Sequence, residues 1–175
     1  MFTTLLLLTI PTVLLRALGA LGVARFATWR VSAAHGLAFM LVNTGAAHFA
    51  PDWVTAIPNH SDMVAMVPSF VPFPDFTVYA TGVLEYLGAL GLILTPPTRR
   101  LAGLSLALMF VLLLPANIHA AQAHISFHGD PATPLWFRIP EQLVYIAVAL
   151  FAALRTAPFA AAAVRRAPAT TAVRE

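Results

Sequence analysis

Five apolar runs divide the chain, and almost every charged residue falls in the stretches between them or after the last. A hydrocarbon core about 30 Å thick takes roughly 17 to 25 apolar residues in helical form. On that measure the pattern predicts helices near residues 4–24, 31–49, 77–94, 101–121 and 139–154. The last run is the shortest, with Pro140 suited to a first helical turn and Arg155 to a stop. Pro11 and Arg16 interrupt the first run, whose opening Met-Phe-Thr-Thr lacks the basic start of a cleaved leader, so a retained span is expected. Arg16 has the stem length to snorkel. The expected fold class is all-α, a polytopic membrane helical bundle.

The connections give the runs a direction. Arg25 and Arg30 lie in the first, Arg99 and Arg100 in the third, and Arg155, Arg165, Arg166 and Arg174 follow the last run. The second connection, residues 51–76, carries Asp52, Asp62 and Asp75 without an arginine, and the fourth has only Arg138. The positive-inside bias then sets the N-terminus outside a cell membrane and the C-terminus in the cytoplasm. Residues 51–76 also hold five prolines with Trp53, Met63, Met66, Phe70, Val71 and Phe73, the composition of an interfacial cap. Residues 158–175, rich in Ala, Pro and Arg, are expected to be a mobile tail.

Composition agrees with the runs: 59% of the 175 residues are hydrophobic and 10% charged, with a mean hydropathy of +0.81. The net charge of +3 is the balance of ten arginines over seven acidic residues, and the arginines sit mainly at breaks between apolar runs, which is a topology signal and not a nucleic-acid footprint. The absence of cysteine excludes disulfides, thiolate-bound zinc and dithiol redox chemistry. Any electron transfer would need a bound cofactor.

Glu85 is the one carboxylate deep inside an apolar run. Such a group is costly in hydrocarbon and ordinarily faces a partner in the bundle interior, which makes it a functional candidate for proton exchange. Thr81, Glu85, Gly88 and Leu92 share a helical face, with Gly88 allowing close approach. Asn43 and His48 in the second run, Asn117 and His119 in the fourth, and Arg138 and Gln142 opening the fifth come from the same end. Together with Thr81 these are the candidate ligand-binding residues, while His35 lies toward the opposite end and is left out. Pro115 removes an N–H donor, frees the carbonyl of Val111 and predicts a kink beside Asn117. The competing reading makes Glu85 and Asn117 tethers between helices and lets the boundary histidines face water. His119, His124, His128 and Asp130 resemble a metal-ligand set, but Gly129 and Pro131 end any helix there, so a solvated loop and no metal site are expected.

An ordered set of motifs runs from Val31 to Phe151. It comprises His48-Phe49 with Pro51, Pro68, Pro72 and Pro74, then Tyr79-x-x-Gly82-x-x-Glu85-x-x-Gly88. Leu92-x-x-x-Pro96 with Arg99-Arg100, Pro115-Ala116-Asn117 and Arg138-x-Pro140-x-Gln142 complete it. This set resembles the DoxX family in its small DoxX-like members, from which Glu141 departs where an apolar residue is usual. The resemblance implies a four-helix membrane core at residues 31–157, an additional N-terminal helix within residues 1–30, and the tail. Described relatives include a membrane subunit of thiosulfate:quinone oxidoreductase and a component of methylamine utilisation. It therefore implies a membrane subunit associated with a soluble or membrane oxidoreductase partner, with a quinone or other lipophilic molecule as ligand and a homo-oligomer compatible with the architecture. A non-catalytic anchor or assembly protein, and a small transporter, are the alternatives; the lack of an internal repeat weighs against the transporter.

Overall fold

The computed structural model describes residues 2–127 and 130–154, so the tail expected at residues 158–175 lies outside the described residues. The chain forms an all-α bundle of membrane type, with seven helices and one two-residue strand pair among the described residues. Helix α1 spans Thr3–Ala20, α2 Trp29–Ala47, α3 His60–Ala65, α4 Pro74–Ile93, α5 Pro96–Leu112, α6 Leu114–Gln122 and α7 Leu135–Ala153. Strands β1 (Ser126–Phe127) and β2 (Asp130–Pro131) pair antiparallel between α6 and α7.

Helices α1, α4, the consecutive α5 and α6, and α7 are long and apolar enough to cross a membrane, which makes this a multi-pass chain. The second expected span, α2, does not reach that apolarity, so composition supports four spans where the run pattern predicts five. Packing explains the difference. Helix α2 lies against α1, α4 and α7, and ten of its 19 residues are buried, among them Ser32, Ala34, Gly36, Leu37, Leu41 and Gly45. A helix covered mainly by other helices can carry small and polar residues that lipid would disfavour. The reverse holds for α1, where only Leu8 is buried and Leu6, Ile10, Val13 and Leu14 stay exposed.

The helix ends follow local sequence chemistry. Thr28 caps α2, Asn59 and Asp62 form a reciprocal capping box on α3, and Thr95 with Thr98 does the same on α5 ahead of Pro96 and Pro97. Helix α4 begins at Pro74, three residues earlier than the apolar run suggests, after Phe73 in the left-handed region at φ 53°. A bulky residue there carries backbone strain. Helix α7 starts at Leu135, four residues earlier than expected, so Pro140 lies in the second turn and not the first.

The long α5–α6 rod breaks at Leu113, as Pro115 predicts, and a side chain of α7 caps the carbonyl of Phe110, one residue before Val111. Gln142 Nε2 donates to Phe110 O at 2.7 Å. The core is formed by Leu37, Met40 and Leu41 of α2, Leu92 of α4, Leu106 and Phe110 of α5, and Tyr145 and Ala149 of α7.

Candidate functional site

Glu85 is 6% exposed, on the inward face of α4 that also buries Gly88 and Leu92. Its two oxygens are divided between two residues of α2 and its C-cap. Thr44 Oγ1 donates to Oε2 at 2.7 Å, and His48 Nε2 lies 3.6 Å from Oε1, an ion-pair distance and not a hydrogen bond. His48 is itself buried, with Nδ1 2.8 Å from the carbonyl oxygen of Val78. A carbonyl only accepts, so Nδ1 carries hydrogen. In a neutral ring Nε2 is then a lone pair aimed at a carboxylate oxygen. The contact is attractive only when the pair holds one more proton, on His48 or on Glu85. Thr81 donates to the carbonyls of Thr77 and Val78 at 2.9 Å and leaves its oxygen 3.2 Å from His48 Nδ1, steadying the same ring.

The helices approach closely at this pair. A Cβ on Gly82 would lie 2.6 Å from His48 Cβ and 2.8 Å from the Phe49 ring. Beside it runs a ladder of rings along the α2–α4 seam: Phe49 stacks on Tyr86 at 5.6 Å and leans on Tyr79 at 5.8 Å, and Tyr79 stacks on His60 at 4.1 Å. His60 closes the end of the seam. Its Nδ1 donates to the His48 carbonyl at 2.8 Å and its Nε2 lies 3.3 Å from Asp75, which the early start of α4 carries outward. Trp53, Phe70, Phe73 and Phe76 are all exposed on this loop and on the opening turn of α4, as expected of an interfacial cap.

The remaining candidates form a second cluster. Arg138 Nη1 binds Glu141 Oε2 at 2.7 Å, and Nη2 binds Asn117 Oδ1 at 2.9 Å. Asn117 Nδ2 faces Gln142 Oε1 at 3.4 Å. Glu141 Oε1 also accepts from Tyr145 at 2.7 Å and from Thr4 of α1 at 2.6 Å. Asn117, Glu141 and Gln142 are buried. A buried carboxylate with two hydroxyl donors and a guanidinium is a satisfied group, and breaking such a pair from one side leaves an uncompensated charge.

The single polar region expected from the sequence is therefore two. His48, Thr81 and Glu85 meet; Asn117, Arg138 and Gln142 meet each other and not Glu85. His119 joins neither, since its Nδ1 contacts the Met66 carbonyl at 3.2 Å and ties α6 to the loop before α4. Asn43 is exposed and donates to the Phe39 carbonyl of its own helix at 2.7 Å, so it is no part of the site. Its neighbour Thr44 takes that place, on the stripe Leu37, Leu41, Thr44 and His48, one helical step of about 100° away. Thr44 was missed, and Glu141, which opens the fifth run beside Arg138 and Gln142, was left out of the candidate site. The i, i+3 spacing of Arg138 and Glu141 and the i, i+4 spacing of Glu141 and Tyr145 are the signals that could have found the second cluster.

For the loop histidines, His124 has a left-handed backbone at φ 50°, and no group of three His, Asp or Glu among the described residues could hold a metal ion. His128 and the side chain of Asp130 lie outside the described residues.

Residues 37–153 match the family model described as a domain of unknown function, DUF8561. No curated protein and no solved structure matches the chain.

Proposed function

The chain belongs to the DUF8561 family, and from the chemistry of its buried groups we propose that it binds a lipophilic redox molecule of the quinone class, with which Glu85 and His48 exchange a proton. In this reading it is a membrane subunit associated with an oxidoreductase. The observation that carries it is the buried His48–Glu85 pair, in which Nδ1 is committed to the Val78 carbonyl and Nε2 alone faces Oε1, at 3.6 Å. Proton exchange next to an apolar seam is what the two-oxygen chemistry of a quinone requires. The half-exposed rings of Phe49, Tyr79 and Tyr86 offer flat faces to a planar ligand arriving from lipid. The motif resemblance to DoxX-like proteins supports the same assignment. The arginine distribution supports an outside N-terminus and a cytoplasmic C-terminus, with the His60 cap on the outer side.

Asn117, assigned to ligand binding on sequence grounds, has no part in this proposal, because both ends of its amide are committed to Arg138 and Gln142. Quinone titration of the purified protein tests the reading. Glu85→Gln and His48→Gln are each expected to weaken binding about tenfold, the worth of one charged hydrogen bond. Unchanged affinity in both variants rejects the site.

A second reading rests on the Thr44 hydroxyl, which together with His48 gives Glu85 a contact on both oxygens without any ligand. The pair then acts as a tie between α2 and α4 in an anchoring or assembly protein. It predicts lower thermal stability in Glu85→Gln with no ligand bound by either form.

A further inference from the structure

At the end of the bundle opposite His60, Arg25 and Arg99 lie together with no carboxylate paired to either among the described residues. Arg25 lies in the short 3-10 turn Ala24–Phe26 between α1 and α2, and Arg99 in the first turn of α5. Both reach the last turn of α4. Arg25 Nη2 donates to the Ile93 carbonyl at 2.7 Å, and Arg99 Nε donates to the adjacent Leu92 carbonyl at 2.8 Å.

His35 fixes the first of these. Its Nδ1 is 2.7 Å from the Val31 carbonyl and therefore carries hydrogen, so the Nε2 lone pair accepts from Arg25 Nε at 3.3 Å. His35 is a neutral prop here and not a third cation. Arg25 is thus held by two of its nitrogens and Arg99 by Nε, leaving Nη1 of Arg25 and both Nη groups of Arg99 as donors. Among the described residues no carboxylate pairs with either arginine. Asp52, Asp62, Asp75, Glu85 and Glu141 all lie on other stretches: the capping loop, the first turn and middle of α4, and the second turn of α7.

Capping the C-terminus of α4 accounts for one cation, since the negative end of a helix attracts one. It does not account for two on adjacent carbonyls when Arg99 is only 7% exposed. A buried cation is ordinarily paired. We infer that Arg25 and Arg99 form a binding site for a phosphate oxyanion, supplied by an anionic phospholipid headgroup or by free phosphate. The planar donor fork of each guanidinium matches tetrahedral oxygens, and basic pockets between membrane helices hold anionic headgroups by this chemistry.

The site is independent of the His48–Glu85 proposal and is tested without a quinone. The full chain, purified in neutral detergent, is mixed separately with phosphatidylglycerol, phosphatidylcholine and inorganic phosphate. Retained lipid is read by native mass spectrometry and stability by thermal midpoint. Phosphatidylglycerol is expected to be retained and to raise the midpoint, and phosphatidylcholine to do neither. Arg25→Gln, at an exposed position, and Arg99→Lys, which keeps the charge but loses the fork, are each expected to reduce retention about tenfold. Arg30→Gln and Arg100→Gln, at the same end, are expected to preserve it.

Stabilisation by inorganic phosphate with no headgroup selectivity upholds the oxyanion site and assigns it a soluble ligand. The inference is overturned if neither anion stabilises the protein. It is equally overturned if Arg30→Gln and Arg100→Gln weaken retention as much as Arg25→Gln does, because the attraction is then diffuse surface charge.

Discussion

Thr4 donates its hydroxyl to Glu141 Oε1 at 2.6 Å, joining α1, which lies outside the family match, to the buried ion pair of α7. Glu141 thereby has three donors, and Arg138 is its one charged partner among the described residues. Thr4→Val removes one bond of three and is expected to cost about 1 kcal/mol. Glu141→Leu strands Arg138 and is expected to cost about 3–5 kcal/mol, while Arg138→Leu combined with Glu141→Leu costs less than Glu141→Leu alone. Thermal unfolding of the four proteins in one detergent checks the order. A double variant less stable than Glu141→Leu would mean that Arg138, still bonded to Asn117, is not stranded when Glu141 is lost.

Adjacent residues on α2 provide a sharper contrast. Asn43 faces outward and bonds its own helix, whereas Thr44 bonds Glu85. Asn43→Ala is expected to change stability by no more than about 0.5 kcal/mol, as for most surface substitutions. Thr44→Val, nearly equal in volume, is expected to cost about 1–3 kcal/mol by leaving a carboxylate oxygen without its donor. Comparable effects in the two variants would put the α2 register in error.

These two residues also show how far the sequence can be read. The long apolar runs located α1, α4, the α5–α6 rod and α7 to within about five residues, because burial in lipid demands continuous apolarity whatever the neighbours are, and located α2 although it falls short of that apolarity. Glu85 stood out for the same reason, as did the break at Pro115. The face of α2 did not, since an enclosed helix has no clear polar and apolar sides and Asn43 differs from Thr44 only by a rotation. The division of the polar residues into two clusters depends on which helices are neighbours. That α1 brings Thr4 to Glu141, or that the freed Phe110 carbonyl falls to Gln142, is a matter of tertiary packing that spacing within one helix does not encode.

The close approach at Gly82 gives a prediction about geometry and not hydrogen bonding. A methyl group there meets His48 Cβ, which is attached directly to the α2 backbone and cannot swing aside. Gly82→Ala is expected to push α4 from α2 and to cost about 1–3 kcal/mol through overpacking. Because the displacement lengthens the His48–Glu85 contact, ligand affinity should fall although neither residue has changed. Calorimetry with and without ligand separates the two effects, and unaltered stability would show that the seam has room the structure does not indicate.

Pro115 allows the kink to be tested directly. Alanine at this position restores an N–H and fits an α-helix, so the two segments Pro96–Leu112 and Leu114–Gln122 could join into one rod. A continuous helix would occupy the carbonyls now free at the end of α5, including the Phe110 oxygen that accepts from Gln142, and would rotate Asn117 away from Arg138. Local helix energy favours the substitution and the buried network opposes it. Loss of two hydrogen bonds to buried groups, at roughly 1–3 kcal/mol each, rivals the roughly 3 kcal/mol cost of a proline in a helix interior. Pro115→Ala is therefore expected to leave the thermal midpoint nearly unchanged while amide exchange slows at residues 111–117 and quickens around Gln142. Unaltered exchange at both places would mean that packing of α6 against α7, and not the missing proline donor, holds the break.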